Sequence, residues 1–158
     1  MGHLAAVITV SDGVSAGERE DGSGEALAGM LADHGYEVIR DLVPDEADEI
    51  ADAIRRACTR ASLVLTTGGT GFGLRDVTPE ATRQLLDREA PGLLHVMLAK
   101  GLESTPMAAL TRAVAGTVGD SLVVNLPGSP KGAVESLAAI IDLLPHALQL
   151  LSGDNRHH

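Results

Sequence analysis

Residues 62–73 read SLVLTTGGTGFG, and this stretch decides the predicted fold. Residues 62–67 are largely apolar and β-branched, a pattern typical of a short strand buried on both faces of a sheet. Residues 68–73 follow at once and contain four glycines, which allow tight turns and a close approach of the backbone to a ligand. A strand that ends in such a loop is expected at the carboxyl edge of a parallel sheet, where open α/β proteins bind their ligands.

The sequence also predicts strands at residues 4–10, 36–43 and 121–126, of which the first and the last are largely apolar runs. Apolar residues at helical spacing, with proline or glycine near the ends, predict helices at residues 23–34, 46–60, 78–88, 91–102 and 131–151. Residues 110–126 allow two interpretations: a hairpin of 113–117 with 121–126, or a helix end followed by a strand. Strands that alternate with helices predict an α/β fold, a three-layer sandwich with a mostly parallel sheet.

The length of 158 residues predicts a single domain, residues 1–154, followed at 155–158 by a disordered tail or tag remnant. A net charge of −10 argues against nucleic acid and anionic membranes as partners. No run is long and apolar enough to span a membrane, and no basic segment precedes the first strand, so a cytoplasmic location is expected. Aromatic residues make up 1% of the chain, so a flat ligand ring has few side chains to stack on.

Polar, glycine-containing segments follow every predicted strand. Ser11 and Asp12 come after the first strand, Asp45 after the second, residues 68–76 after the third and residues 125–131 after the last. Because the carboxyl ends of parallel strands meet at one edge of a sheet, these segments are expected to form one ligand-binding crevice.

The glycine-rich segment 68–73 has two interpretations. Its successive amide N–H groups can form a concave anion-binding nest, or its glycines can serve tight packing of the turn alone. It lacks the Gly-Lys-Ser/Thr ending of a Walker loop and the glycine spacing of a dinucleotide fingerprint. The missing fingerprint argues against a nicotinamide-dependent oxidoreductase.

The charged residues near these loops also allow two interpretations each. Asp45 stands at a helix start and is either an N-cap or a metal ligand. Arg75 and Asp76 precede a helix whose N-cap is expected at Thr78, and they form either a surface ion pair or a phosphate clamp beside a metal ligand. Lys131 lies in the first turn of the last helix, where the helix dipole disfavours a cation, so it is either solvated or placed there to meet an anion.

Several of these segments together resemble the signatures of the MogA/MoaB family of molybdopterin-binding proteins, to which the gephyrin G domain is similar. The resemblance runs in order along essentially the whole chain. It is carried by TTGGTG at 66–71, RDVTPEA at 75–81, NLPGSPK at 125–131, SD at 11–12, EDGSG at 20–24 and VPD at 43–45.

The resemblance implies a MogA-like fold and an enzyme of molybdenum cofactor biosynthesis, a molybdopterin adenylyltransferase. Such an enzyme transfers adenylyl from Mg-ATP to the terminal phosphate of molybdopterin and releases pyrophosphate. It implies a homotrimer, with a hexamer as the alternative, and contact with the molybdate-inserting enzyme of the pathway. A different class also remains open: a noncatalytic MoaB-like pterin-binding or scaffold oligomer.

The resemblance also implies the site residues. Asp45 and Asp76 match the family's essential aspartates and are expected to be catalytic and to hold Mg²⁺, which prefers carboxylates, phosphate oxygens and water. Substrate and nucleotide binding is expected from Ser11, Asp12, Thr67, Gly68, Gly69, Thr70, Gly71, Arg75, Asn125, Pro127, Gly128, Ser129 and Lys131. Six of all these residues, from three loops, are predicted to line one common pocket: Asp45, Gly69, Gly71, Asp76, Asn125 and Ser129.

Overall fold

The computed structural model describes residues 3–153. The predicted tail at 155–158 lies outside this range, as does the last residue of the predicted domain 1–154.

A six-stranded sheet forms the middle layer, and its strand order is β2-β1-β3-β6-β5-β4. The first four strands in that order are parallel, whereas β5 runs antiparallel to β6 and β4 antiparallel to β5. The prediction of a mostly parallel sheet is therefore confirmed. The strands are β1 Leu4–Val10, β2 Glu37–Val43, β3 Leu63–Thr67, β4 Arg88–Glu89, β5 Ala115–Val118 and β6 Ser121–Leu126.

Helices cover both faces of the sheet. They are α1 Asp12–Ser15, α2 Gly22–Asp33, α3 Ala47–Cys58, α4 Thr78–Arg83, α5 Pro91–Ser104, α6 Pro130–Ile140 and α7 Leu144–Leu151, with a 3-10 helix at Pro106–Leu110. Because side chains alternate along a strand, Ala5 and Val7 of β1 pack with α2, α5, α6 and α7, while Ala6 and Ile8 pack with α3 and α4. Two apolar cores thus lie on opposite faces, and the predicted three-layer sandwich is confirmed.

Three elements differ from the prediction. The helix predicted at 78–88 ends at Arg83, and Arg88–Glu89 instead pairs with β5 at the edge of the sheet. The helix predicted at 131–151 is two helices, because Pro145 has no N–H to donate and stands in the first turn of α7. The segment between β1 and α2 contains the short helix α1. Of the two interpretations of residues 110–126, the hairpin is confirmed, since β5 and β6 turn at Gly119 with φ of +59°.

Within residues 3–153, no single helix is long and apolar enough to cross a membrane. The helices α6 and α7 reach that length and composition only as a pair, which is bent by 66° at the break between them.

Candidate functional site

The parallel strands end level with one another, so the loops that follow them start at the same edge of the sheet. Thr9 of β1 pairs with Thr67 of β3, and Thr67 pairs with Leu126 of β6. The first loop residues continue this pairing: Ser11 N donates to Val43 O at 3.0 Å, and Gly68 N donates to Leu126 O at 3.1 Å.

The glycine-rich segment forms a sharp turn that only glycine can make. Gly68 and Gly69 have φ of +104° and +71°, a region that disfavours side chains. A Cβ at Gly68 would collide with the carbonyl oxygen of Val10, and one at Gly69 would collide with Oγ1 of Thr78. The tight-packing interpretation is therefore correct for these two glycines.

The same turn keeps its anion-binding capacity. Within the described residues, the amide N–H groups of Gly69, Thr70 and Gly71 donate to no protein acceptor. Successive free amides in a glycine turn are the elements of an anion nest. The turn thus presents free backbone donors at the ends of the strands.

Thr78 supports the glycine turn through two hydrogen bonds. It was expected to cap α4, but the helix starts at Thr78 itself and its hydroxyl makes no cap. Thr78 Oγ1 instead donates to Gly68 O at 2.9 Å, and Thr78 N donates to Gly69 O at 3.1 Å. A threonine before Pro-Glu has the pattern of an N-cap, and only the fold shows that its hydroxyl is directed to the turn.

Asp45 and Asp12 lock the loops after β2 and β1 together. Asp12 N donates to Asp45 Oδ2 at 3.0 Å, and Asp45 N donates to Asp12 Oδ1 at 2.9 Å. Glu46, not Asp45, precedes the first residue of α3, and it makes no side-chain cap. The N-cap interpretation of Asp45 is therefore wrong.

Arg75 holds the other side of this lock. Its Nε and Nη2 bind the two carboxylate oxygens of Asp12 at 3.1 and 3.0 Å, and Nη2 also binds Glu46 Oε1 at 3.0 Å. Among the described residues Arg75 thus pairs with Asp12 and Glu46 and not with Asp76, so the ion pair expected between Arg75 and Asp76 is wrong. Its role as a phosphate clamp stays a prediction. The pairing with Arg75 holds the pKa of Asp12 below its ordinary value, mainly through the hydrogen bonds from Arg75.

Asp45 and Asp76 flank the glycine turn. Asp45 Oδ1 lies 3.2 Å from the position that a Cβ at Gly69 would take, and Asp76 Oδ2 lies 3.0 Å from the corresponding position at Gly71. Burial raises the pKa of Asp45, and the negative charges of Asp12 and Asp76 raise it further, against the hydrogen bond from Asp12 N–H. Negative charge therefore accumulates on this side of the turn.

The donor set suits a magnesium ion shared with phosphate. Among residues 3–153, no group of three or more His, Cys, Asp or Glu residues is arranged to hold a metal ion by itself. Asp45 and Asp76, however, each have one oxygen, Oδ1, that accepts no hydrogen bond from any described residue. Two free carboxylate oxygens, completed by phosphate oxygens and water, match the way Mg²⁺ binds in nucleotide enzymes.

A large apolar cavity lies on the α5 and α6 face of the same edge. Its volume is about 570 Å³, and its walls include Leu94, Met97, Leu98, Met107 and Leu110. Thr70 and Gly71 of the turn form part of its lining, so the turn borders the cavity directly. Polar side chains that line it include His95, Thr105, Thr111, Glu135 and Ser136.

The family profile described as "probable molybdopterin binding domain" matches residues 6–146. The chain belongs to this molybdopterin-binding domain family. The chain is also 43% identical over 152 residues to the molybdenum cofactor synthesis protein cinnamon of Drosophila melanogaster, but 94% of the chain spans only 25% of that protein. A molybdopterin adenylyltransferase of Helicobacter pylori is 38% identical over 153 residues, which cover 94% of this chain and 87% of the relative.

Solved structures agree with the family. The crystal structure of the molybdopterin biosynthesis enzyme MoaB from Thermus thermophilus is 51% identical and superposes with a TM-score of 0.89, over 96% of this chain and 97% of that one. The predicted membership in the MogA/MoaB family is confirmed. Relatives named molybdopterin adenylyltransferase match this chain over most of their length, so the prediction of an enzyme is also confirmed.

The six-residue common pocket of the domain is only partly as predicted. Gly71, Asn125 and Ser129 line the cavity, whereas Asp45, Gly69 and Asp76 do not. Asp45 and Asp76 precede α3 and α4, which pack on the opposite face of the sheet from α5 and α6. The site of this molybdopterin-binding domain therefore has two parts, an acidic part and an apolar part, with the glycine turn between them.

The side chain of Asn125 forms its hydrogen bonds within the protein. It is fully buried, its Nδ2 donates to Thr66 Oγ1 at 2.9 Å and to Thr82 Oγ1 at 3.0 Å, and its Oδ1 accepts from Val114 N at 3.0 Å. Both side-chain N–H groups are thus occupied. In this structure Asn125 supports the cavity wall by joining β6 to β3 and α4, and it has no donor left for a ligand.

The remaining predicted residues of the last loop join it to the glycine turn or begin α6. Thr67 Oγ1 donates to Pro127 O at 2.6 Å, and a Cβ on Gly128 would lie 3.1 Å from Gly68 Cα, so the two loops touch. Ser129 Oγ accepts from Gly132 N at 3.1 Å and caps α6. Lys131 is 80% exposed with Nζ 4.0 Å from Glu135 Oε1, so its anion-binding role stays a prediction.

Ser11 also caps a helix. Its Oγ accepts from Val14 N at 3.2 Å at the start of α1 and from Arg19 Nη2 at 3.1 Å. Its expected contact with substrate stays a prediction.

Arg112 is the residue at this site that the sequence did not reveal. Its guanidinium and its backbone N–H bind the carbonyl oxygens of Thr70, Gly71 and Asp76. It stands in the ambiguous segment 110–126, outside the quoted signatures. An arginine just before a strand, in a chain with only 12 basic residues, is the one signal that the sequence offers.

Proposed function

We propose that this domain transfers adenylyl from Mg-ATP to the terminal phosphate of molybdopterin, giving adenylyl-molybdopterin and pyrophosphate. The observation that carries the proposal is the glycine turn with free amides, which has an apolar cavity on one side and two aspartates on the other. Two substrates that each bring phosphate to the same turn account for this arrangement. Relatives named molybdopterin adenylyltransferase support it.

The apolar cavity is proposed to hold the pterin. A volume of about 570 Å³ lies within the range of roughly 300–1,000 Å³ that is usual for small-molecule sites. Its walls are aliphatic, so the ring system is held by apolar contact, with Thr105, Thr111 and Glu135 as hydrogen-bonding groups. Because Thr70 and Gly71 are part of the lining, the terminal phosphate of a pterin in the cavity reaches the turn.

The turn amides then bind phosphate. A phosphate oxygen of molybdopterin attacks the α-phosphorus of ATP, the new oxygen–phosphorus bond forms, and the bond to the departing pyrophosphate breaks. The phosphate is already a nucleophile, so no side chain has to be activated. What the protein supplies is alignment of the two polyanions, which is worth several kcal/mol where it is well made, about 7–11 at most.

Asp45 and Asp76 are proposed to hold Mg²⁺ through their free Oδ1 atoms. A bound Mg²⁺ neutralises charge on the nucleotide phosphates. Asp12 and Arg75 act on the metal site indirectly. They fix the backbone and the carboxylate of Asp45 through the lock described above. Arg75 thus has a role in the site although an exposed ion pair by itself usually contributes little to stability.

The alternative that the test must exclude is a noncatalytic pterin-binding protein. Both functions use the cavity, and they differ in whether ATP reacts. The test is pyrophosphate release by the purified protein with Mg-ATP, measured with and without molybdopterin. The proposal expects release only with molybdopterin, while the alternative expects saturable pterin binding and no release.

We further propose that the domain acts as a homotrimer, with a hexamer as the alternative, and that it hands its product to the molybdate-inserting enzyme. Exposed apolar side chains outside the cavity support assembly: among those that the structure describes are Leu102, Leu143 and Leu150. Light scattering during size-exclusion chromatography distinguishes the states, and a stable monomer at micromolar concentration would contradict the proposal.

A further inference from the structure

Arg112 reaches the glycine turn from a distant part of the sequence. It lies between the 3-10 helix and β5, and its backbone N donates to Thr70 O at 2.8 Å. Its Nε donates to Gly71 O and its Nη2 to Asp76 O, both at 2.7 Å. A single side chain therefore ties together the two ends of segment 71–76.

The guanidinium is itself held in place. Its Nη1 binds Glu80 Oε2 at 2.6 Å in the first turn of α4, and the guanidinium carbon lies 5.9 Å from the centre of the Phe72 ring. The hydrogen bond from Arg112 also holds the pKa of Glu80 below its ordinary value, so this pair is charged at neutral pH. The side chain of Arg112 is 31% exposed, which makes it the less exposed partner of the pair.

Segment 71–76 in turn carries Asp76. Asp76 N donates to Gly73 O at 3.0 Å, and Gly73 N donates to Asp76 Oδ2 at 2.8 Å. The direction of the Asp76 carboxylate is thus set by the fold of this segment. We propose that Arg112 is a positioning residue that holds segment 71–76 closed, so that Asp76 presents its free Oδ1 beside the glycine turn. The catalytic consequence rests on the proposed function, whereas the structural claim does not.

Geometry rather than charge is what Arg112 contributes. The planar fork of a guanidinium serves two carbonyls and a carboxylate at once, while the ammonium of lysine is a compact point charge. The substitution Arg112→Lys keeps the charge and removes the fork. The matched control is Arg83→Lys, since Arg83 is exposed in the last turn of α4.

The test is backbone amide order parameters measured by ¹⁵N relaxation. In the wild type and in Arg83→Lys, the amide of Gly73 should be rigid, with an order parameter near 0.85, and in Arg112→Lys it should fall below about 0.6. Amides of β3 and β6 should not change. Unchanged order parameters at 71–76, or a fall spread evenly over the sheet, would overturn the proposal.

Kinetics separate this role from general stability. With Arg112→Lys, kcat should fall about 10–100-fold, as is usual when a residue that orients a metal ligand is changed. The KM for molybdopterin should stay within about twofold, because the apolar wall of the cavity is untouched. A rise in KM with unchanged kcat would contradict positioning of Asp76. A mobile segment in a protein whose wild type shows no adenylyl transfer would refute the proposed function and leave the positioning role intact.

A second variant applies if Arg112→Lys does not fold. Glu80→Ala removes only the partner of Nη1 and leaves all three bonds to the turn. The order parameter of Gly73 should then fall part of the way, with the strands unchanged. No change at segment 71–76 in this variant would overturn the proposal.

Discussion

The substitution Asp45→Asn separates the catalytic role of this carboxylate from its role in the loop lock. In the wild type, Oδ2 accepts from Asp12 N at 3.0 Å and Oδ1 accepts from no described residue. The amide oxygen of Asn can take over the bond from Asp12, so the lock is kept. The amide nitrogen then replaces the free oxygen, and the anionic ligand is lost. Loss of one well-placed electrostatic contact costs on the order of 3–4 kcal/mol, about a hundred- to a thousand-fold in kcat.

The stability of Asp45→Asn should not fall together with its activity. The pKa of Asp45 in the folded protein lies above the ordinary value of 3.8, mainly because of burial. The native state therefore binds the proton more tightly than the unfolded state, and ionisation of Asp45 destabilises the fold. This penalty is absent at pH values below the unfolded pKa, and it is complete once the pH has risen through the folded pKa. At pH 7 the neutral Asn escapes it.

The assay compares adenylyl transfer with thermal unfolding for Asp45→Asn and for the control Asp52→Asn. Asp52 forms an exposed ion pair with Arg55 on α3, so its change should leave both activity and Tm close to those of the wild type. Asp45→Asn should lose activity with a Tm equal to or above that of the wild type at pH 7, and the advantage in Tm should shrink as the pH is lowered towards 4. Full turnover would remove Asp45 from catalysis. A Tm lower by several degrees would show that the lock, not the ligand, is what the carboxylate provides.

Three further predictions concern the turn, the buried amide and the cavity. Gly69→Ala should lower stability by about 1–2 kcal/mol from the left-handed backbone alone, with more from displacement of Thr78. The control Gly29→Ala lies in open space on α2 and should raise stability by about 0.5–1 kcal/mol. Urea unfolding measures both variants, and equal effects would refute the collision at Gly69. Asn125→Ala leaves the Val114 N–H without its acceptor and two threonine hydroxyl oxygens without the donor from Asn125. Urea unfolding should therefore show a loss of about 1–3 kcal/mol, and a loss below about 0.5 kcal/mol would mean that water replaces the amide. Leu94→Trp fills the cavity wall and should weaken molybdopterin binding about tenfold or more, near 1.4 kcal/mol, as measured by calorimetry, with nucleotide binding unchanged; unaltered pterin affinity would place the pterin elsewhere.

Much of the fold could be predicted because three of the four parallel strands, β1, β3 and β6, are nearly continuous apolar runs. The pattern at 4–10 and 121–126 gave strands whose bounds match β1 and β6. The edge strand β4 could not be predicted in this way, because two exposed residues form it only by pairing with β5. A pairing of that kind depends on tertiary contact and leaves no periodicity in the sequence.

The sequence predicted where the site lies, but not how its side chains are arranged. Strand ends and glycines located the edge, and they brought the glycine turn, Asp45 and Asp76 together as expected. Sequence cannot show on which face of the sheet a loop side chain lies, and this is why the prediction of one pocket shared by Asp45, Asp76 and Asn125 was wrong. Nor can it show that the side chains of Asn125 and Thr78 hydrogen-bond to other residues of the protein. Arg112 was missed because its targets are backbone carbonyls 36 to 42 residues away in the chain, and any sequence offers such carbonyls.

The central claim is that nucleotide and pterin meet at the glycine turn and react there. The most direct measurement is a single-turnover reaction with ATP labelled at the α-phosphorus, quenched and separated to follow the label. The account predicts that the label moves into molybdopterin in a Mg²⁺-dependent step, with one pyrophosphate released for each label transferred. Stoichiometric binding of molybdopterin and Mg-ATP together, with all of the label still in ATP, would contradict it.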